Sequence, residues 1–121
     1  MVNDVPMNPV SIEAAIREVS GRIADGVKVC DQRYRAYLQA LHRYDVAYAQ
    51  AWMNYAGPAH SKKYSAELST QAERHDRDQA DAVYRYADRT AKALEAELRA
   101  LQSVGASVRA MYAVAGRGDG L

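Results

Sequence analysis

The sequence predicts an all-α fold: a long antiparallel helical hairpin of coiled-coil character that assembles into an oligomeric helical bundle. Three observations carry that expectation. Alanine is abundant in the 121 residues, while proline sits outside the two long helical stretches, the composition of long amphipathic helices. Apolar residues recur every three or four positions over two long stretches, the rhythm of a helix with one buried stripe. No alternating β-branched segment suggests a strand.

A leader over 1–10 precedes a single helical domain over 11–114. The first helix is expected at about 11–56. Pro9 ends the leader, Ser11 is placed to cap the free amides, and Glu13 sets negative charge in the first turn. Its apolar positions run Ile12, Ile16, Val19, Ile23, Val27, Cys30, Tyr34, Tyr37, Leu41, Tyr44, Tyr48, Ala51, Tyr55. The steps alternate four and three, the seam of a coiled coil, with a doubled four around Val27 that reads as a stutter. Gly21 and Gly26 flank it and each costs about 1 kcal/mol against alanine, so the helix has a place to kink or break. Folding it back there gives the rival arrangement, a three-helix monomer. Gly57-Pro58 stops the helix: glycine suits a left-handed terminal residue and proline cannot continue the helix.

The second helix is expected at about 61–113. Its seam is Ala80, Tyr84, Ala87, Ala91, Leu94, Leu98, Leu101, Gly105, Val108, Tyr112. Arg77–Asp81, Asp81–Arg85, Asp88–Lys92 and Glu95–Arg99 dress the solvated faces. Between His60 and Gln79 only Tyr64, Ala66, Leu68 and Ala72 offer core, and 115–121 reads as a flexible tail. Helices of about 45 and 50 residues span roughly 65–80 Å. A two-helix layer has one internal seam, so Leu38, Val46, Trp52 and Met53 on the first helix, and Val83, Tyr86, Val104 and Met111 on the second, are left uncovered. Two lone helices bury little surface for their ordering cost, so association with another copy or another protein is expected, with Tyr84, Leu94, Leu98, Leu101, Val108 and Tyr112 as the candidate oligomer seam.

A formal net charge of +1 gives no global pull toward nucleic acid or anionic membrane. The lone Cys30 cannot form an internal disulfide and leans toward a reducing compartment. The opening MVNDVPMNPV shows no cleavable signal, and no window is apolar enough to span a membrane. These features point to the cytoplasm.

The most distinctive feature is RYRAYLQALHRYDVAYAQAWMNYAGP, which carries five of the chain's nine tyrosines; the chain has no phenylalanine. One reading is coiled-coil core, with wide rings facing alanines such as Ala87 and Ala91. The other is a binding surface, because tyrosine offers area at low entropy cost and tolerates wet contacts. Arg33, Arg35, His42 and Arg43 interleave with the rings, a pattern that suits single-stranded nucleic acid through stacking and phosphate contacts, although Asp31 and Asp45 dilute it. Lys62 and Lys63 open the second helix, where positive charge opposes the macrodipole; they read as an anion site or as a surface pair. The candidate partner or nucleic-acid surface is therefore Arg33, Arg35, Tyr37, Arg43, Tyr44, Tyr48, Trp52, Tyr55, Lys62 and Lys63.

His42, His60 and His75 have no metal-ligand spacing, and the acidic cluster Asp76, Asp78, Asp81 is interleaved with arginine. No phosphate loop, nucleophile elbow or HExxH motif is present, so neither catalysis nor a cofactor, metal or small-molecule substrate is expected. Arg117-Gly118-Asp119 spells an adhesion triplet, but three residues in a glycine-rich tail define no site.

The order AYLQALHRYDVAYAQAWMNYAG, SKKYSAELSTQAE, then a helix ending LQSVGASVRAMYAVAG resembles a group of small helical proteins of tailed bacteriophages. These are often encoded in the early or recombination region, and the resemblance covers about Tyr34 to Ala115. The alanine and arginine bias suits a phage of a high-GC actinobacterial host. The resemblance implies a non-enzymatic accessory role in phage DNA metabolism, recombination or host takeover, through contact with a phage or host protein in the infected cell. Direct single-stranded nucleic-acid binding is the alternative. A weaker resemblance is to secreted WXG-type hairpins, but Trp52 is separated from Gly57 by four residues and Tyr84–Asp88 lies inside the second helix, both in the wrong form for that family.

Overall fold

The computed structural model describes residues 8–119. The described residues are helical and contain no strand: α1 spans Pro9–Asn54, α2 Lys62–Ser69 and α3 Gln71–Asp119, with a 3-10 turn at Ala59–Ser61 before α2. Helix α1 packs against α3, which makes the chain an all-α helical hairpin. The expected leader falls mostly outside the described residues, as does the last part of the expected tail at 120–121. Helix α3 itself continues past Ala113, the expected end, to Asp119.

The start of α1 differs from the sequence expectation by one motif. Asn8, not Ser11, is the cap: its side-chain Oδ1 accepts the Ser11 amide at 2.9 Å and its carbonyl accepts the Ile12 amide at 3.1 Å. Pro9 becomes the first helical residue, where its fixed φ is pre-set and its missing N–H costs nothing. Glu13 accordingly lies past the first turn.

Two compact units divide the chain. The first comprises Met1–Val27 with Thr90–Leu121. Here Ile12, Val19, Leu94 and Val108 are buried, and Ile16, Ile23, Leu98 and Leu101 are half-buried. Gly105 is buried because a side chain would not fit easily: a Cβ would lie 3.2 Å from Ile12 Cγ2 and 3.9 Å from Ile16 Cδ1. Helix α1 runs unbroken through Gly21 and Gly26, so the three-helix arrangement does not form. Packing of Val19 and Ile23 outweighs the roughly 1 kcal/mol that each glycine costs. The four-three alternation continues through Gly26, while Val27 is 63 % exposed. The doubled step therefore falls at Cys30, one step later than the sequence reading placed it.

The second unit is Lys28–Arg89. Cys30, Tyr37, Leu41, Tyr44, Tyr48, Ala51 and Tyr55 are half-buried and Ala40 is buried. Tyr34 sits at the exposed edge, its ring 5.1 Å from that of Tyr84 and 6.4 Å from that of Tyr37. The pairing of ring with ring there replaces the expected ring-on-alanine contact. Since Tyr34 meets Tyr84 and Tyr44 meets Arg77, rising numbers on α1 match falling numbers on α3, as an antiparallel pair requires.

The expected second helix is interrupted at Thr70. Its amide reaches back to the Glu67 carbonyl at 3.4 Å, leaving the Ala66 carbonyl without its usual helical partner. The buried Thr70 hydroxyl donates to that carbonyl at 2.7 Å instead, and the Thr70 carbonyl accepts the Arg74 amide as the first bond of α3. The expected core of this region is also revised. Ala66 is buried, but Tyr64, Leu68 and Ala72 are exposed, and Thr70 takes the inner position. Tyr64 and Leu68 lie two residues either side of Ala66, about 160° round the helix from it.

Candidate interaction surface

The tyrosine stripe resolves into a ladder held by cations at both ends. Tyr44 and Tyr48 have ring centroids 6.0 Å apart, and Tyr48 and Trp52 6.1 Å, the natural contacts of residues four apart on a helix. From α3, the Arg77 guanidinium lies 4.5 Å from the Tyr44 ring centroid. From the first turn of α2, Lys62 Nζ lies 5.7 Å from that of Trp52. Both distances are within cation–π range. Arg77 is further oriented by Asp78, which accepts from its Nε at 3.1 Å and from Nη2 at 2.9 Å. That hydrogen bond raises the Arg77 pKa above its ordinary value. The ladder thus ties α2 and α3 to α1, and much of the ring surface is structural.

Lys62 is accounted for by this contact. Its charge at the start of α2 opposes the macrodipole, and the indole face offsets that; Lys63 is exposed. Ser61 stands before α2 without a side-chain capping bond. Tyr55 folds back over Gly57, where a Cβ would sit 2.5 Å from Tyr55 Cζ and closer still to its hydroxyl oxygen. No described glycine has a positive φ, so Gly57 is not the left-handed terminator that was expected. Helix α1 ends at Asn54 and the chain is extended at Pro58.

The arginines of the expected Tyr/Arg face do not share one direction. At about 100° per residue, Arg35 projects roughly 180° from Tyr44 and Arg43 roughly 100° from it. Arg35 donates to Asp31 at 2.9 Å. Arg43 borders a shallow depression of about 350 Å³ with His42, Val46, Ala47, Gln50 and the half-buried Glu73. Arg33 is exposed.

The candidate oligomer seam is largely consumed within the chain. Leu94 and Val108 are buried, Tyr84, Leu98 and Leu101 half-buried, and among these six only Tyr112 is exposed. Of the expected surface pairs, Asp81–Arg85 forms at 2.9 Å, while Arg77 binds Asp78 rather than Asp81.

Several large apolar side chains remain open in the second unit. Met53 is 79 % exposed and Leu68 68 %, and Trp52 and Tyr64 are exposed beside them in sequence. Trp52 and Met53 end α1, and Tyr64 and Leu68 form the outward face of α2. His60, Lys63 and Arg74 are exposed nearby in the chain. The sequence pattern leaves Trp52 and Met53 uncovered, as the structure does, but puts Tyr64 and Leu68 in the core, whereas both face outward. The four-residue spacing of Tyr64, Leu68 and Ala72 suits one face, but does not say which way it points. Thr70 was missed as well, although Thr70-x-x-Glu73 is a capping-box signature. Among the described residues no group of three or more acidic, histidine or cysteine side chains is placed to hold a metal, and no helix is long and apolar enough to cross a membrane. Comparison with protein-family models, with characterised proteins and with solved structures finds no match.

Proposed function

We propose that this chain works by binding another protein, and that the turn end of the hairpin is where it does so. The observation that supports this most directly is the outward face of α2, where Tyr64 and Leu68 project opposite the buried Ala66; Trp52 and Met53 at the end of α1 are exposed as well. Burying a side chain of this size contributes about 1.5–3 kcal/mol, and the hairpin leaves that contribution unused. Clustered aromatic and aliphatic side chains with a polar rim are the anatomy of a protein contact. His60 and Lys63, exposed and close in sequence to Tyr64, favour a partner with acidic groups.

This reading agrees with the accessory, non-enzymatic role that the likeness to small phage helical proteins implies, in DNA metabolism, recombination or host takeover within an infected bacterium. Direct single-stranded nucleic-acid binding is the less favoured reading. The rings that would stack bases already hold Arg77 and Lys62, and Arg35 and Arg43 leave the ladder in different directions.

Affinity capture from host extract separates the two. Wild-type protein is expected to retain a specific protein that Met53→Ser/Leu68→Ser loses at unchanged helicity; equal retention by the variant contradicts the proposed site. In parallel, fluorescent single-stranded DNA is titrated at low and moderate salt. No binding is expected. Binding that falls steeply with salt and is lost in Arg33/Arg35/Arg43→Ala would establish the nucleic-acid reading instead.

A further inference from the structure

In the first unit the seam of α3 outruns α1. Ile12 lies against Gly105, where a Cβ would stand 3.2 Å from the Ile12 Cγ2. Helix α1 begins a few residues earlier, at Pro9, so in an antiparallel pair its first residue is level with about position 108 of α3. Helix α3 runs on to Asp119, about eleven residues or roughly 16 Å further. The seam keeps its step over that stretch: Leu101, Gly105, Val108, Tyr112 and Ala115 follow one another by four, three, four and three. Val108 is buried, whereas Tyr112 is 53 % exposed and Ala115 is exposed. With Met111 these three line a depression of about 210 Å³. Two rungs of the seam thus lie beyond the first residue of α1.

We infer that residues 1–7, which lie outside the described residues, fill this groove as an extended strap along the end of α3, with Val5 and Met7 turned onto Val108, Tyr112 and Ala115. The point of attachment supports this. Asn8 caps α1, and an apolar residue just before a cap packs against the fourth helical residue, here Met7 against Ile12. Ile12 is the side chain that meets Gly105, so that contact delivers the chain at the mouth of the groove. Pro9 biases Asn8 away from helical backbone and Pro6 does the same for Val5, so α1 cannot itself continue over the open rungs. In an extended segment alternate side chains share a face, which sets Val5 with Met7. Seven such residues reach up to about 25 Å, more than the overhang requires. Charge fits as well. Asp4 is the one charged side chain in 1–7 and Arg109 the one charged side chain in 100–116.

Size favours this occupant over a separate molecule. Two seam rungs offer far less than the roughly 1,600 Å² that a stable two-chain interface buries. A separate molecule also loses translational and rotational freedom on docking, and a tethered segment does not. The overhang of α3 is therefore filled from within.

Amide hydrogen exchange on the full chain tests the inference. Val5→Asp/Met7→Asp is expected to speed exchange over 110–116 by about tenfold and to leave 94–101 unchanged. Equal rates over 110–116 in the wild type and the variant overturn the inference. Directed disulfide formation gives a second reading. In a Cys30→Ser background under mild oxidation, Val5→Cys should pair with Ala115→Cys and not with Ala113→Cys, which lies about 160° round α3 from it. A segment that is merely tethered pairs with both alike; that result, or pairing with neither, overturns the inference. So does a two-chain mass by light scattering that Tyr112→Asp reduces to one chain, because a second copy would then hold the groove. The turn-end reading is independent of all three, and its failure shows as unchanged capture by Met53→Ser/Leu68→Ser.

Discussion

Gly21 and Gly105 sit in the interiors of long helices and face opposite environments. A Cβ at Gly21 would meet nothing within 4 Å, whereas at Gly105 it would press on Ile12 Cγ2 at 3.2 Å. Gly21→Ala therefore removes backbone entropy from the unfolded chain without adding a clash, and is expected to stabilise by about 0.5–1 kcal/mol. Thermal unfolding by circular dichroism reads this as a raised midpoint, and a lowered one would mean the helix needs its glycine there. The sequence shows each glycine but not its neighbours, which is why Gly57 was given a backbone role when the Tyr55 ring is what it accommodates. Asn8 was overlooked as a cap for a similar reason. Ser11 is an equally good capping residue by type, and only the path of the chain at Pro9 decides between them.

At the scale of elements, the long stripes were legible because each repeats the same four-three phase many times, so a single ambiguous position cannot mislead. Helix α2 has 8 residues, little more than two turns, and Tyr64-x-x-x-Leu68 fits an inward face as well as an outward one. The break at Thr70 then resets the phase between α2 and α3. A matched pair of leucines tests the resulting assignment. Leu94 is buried between α1 and α3 in the first unit, and Leu68 projects from α2 in the second. Leu94→Ala is expected to cost about 2–4 kcal/mol through lost burial and a residual cavity, while Leu68→Ala should change stability by less than about 0.5 kcal/mol. Urea denaturation of the two variants gives both values, and comparable losses would place Leu68 in the core after all.

For the whole molecule, what the chain can do was less legible than how it folds. Composition and a net charge of +1 set no global attraction, so function had to come from where side chains gather. The linear interleaving of Tyr and Arg between Arg33 and Tyr55 suggests one mixed face, and helical geometry disperses most of it: the rings form a ladder toward α2 and α3, and Arg35 and Arg43 leave in other directions. The exposed apolar side chains at the turn end are half legible, from Trp52 and Met53, and the outward turn of Tyr64 and Leu68 adds the rest. The central claim, that this surface binds protein, is tested most directly by site-specific photo-crosslinking in host extract, with the photoreactive residue at Leu68 and, as a control, at the exposed Glu18. A discrete protein adduct from position 68 and none from position 18 is the predicted result. The absence of any adduct at position 68, or the same adducts from both positions, would contradict it.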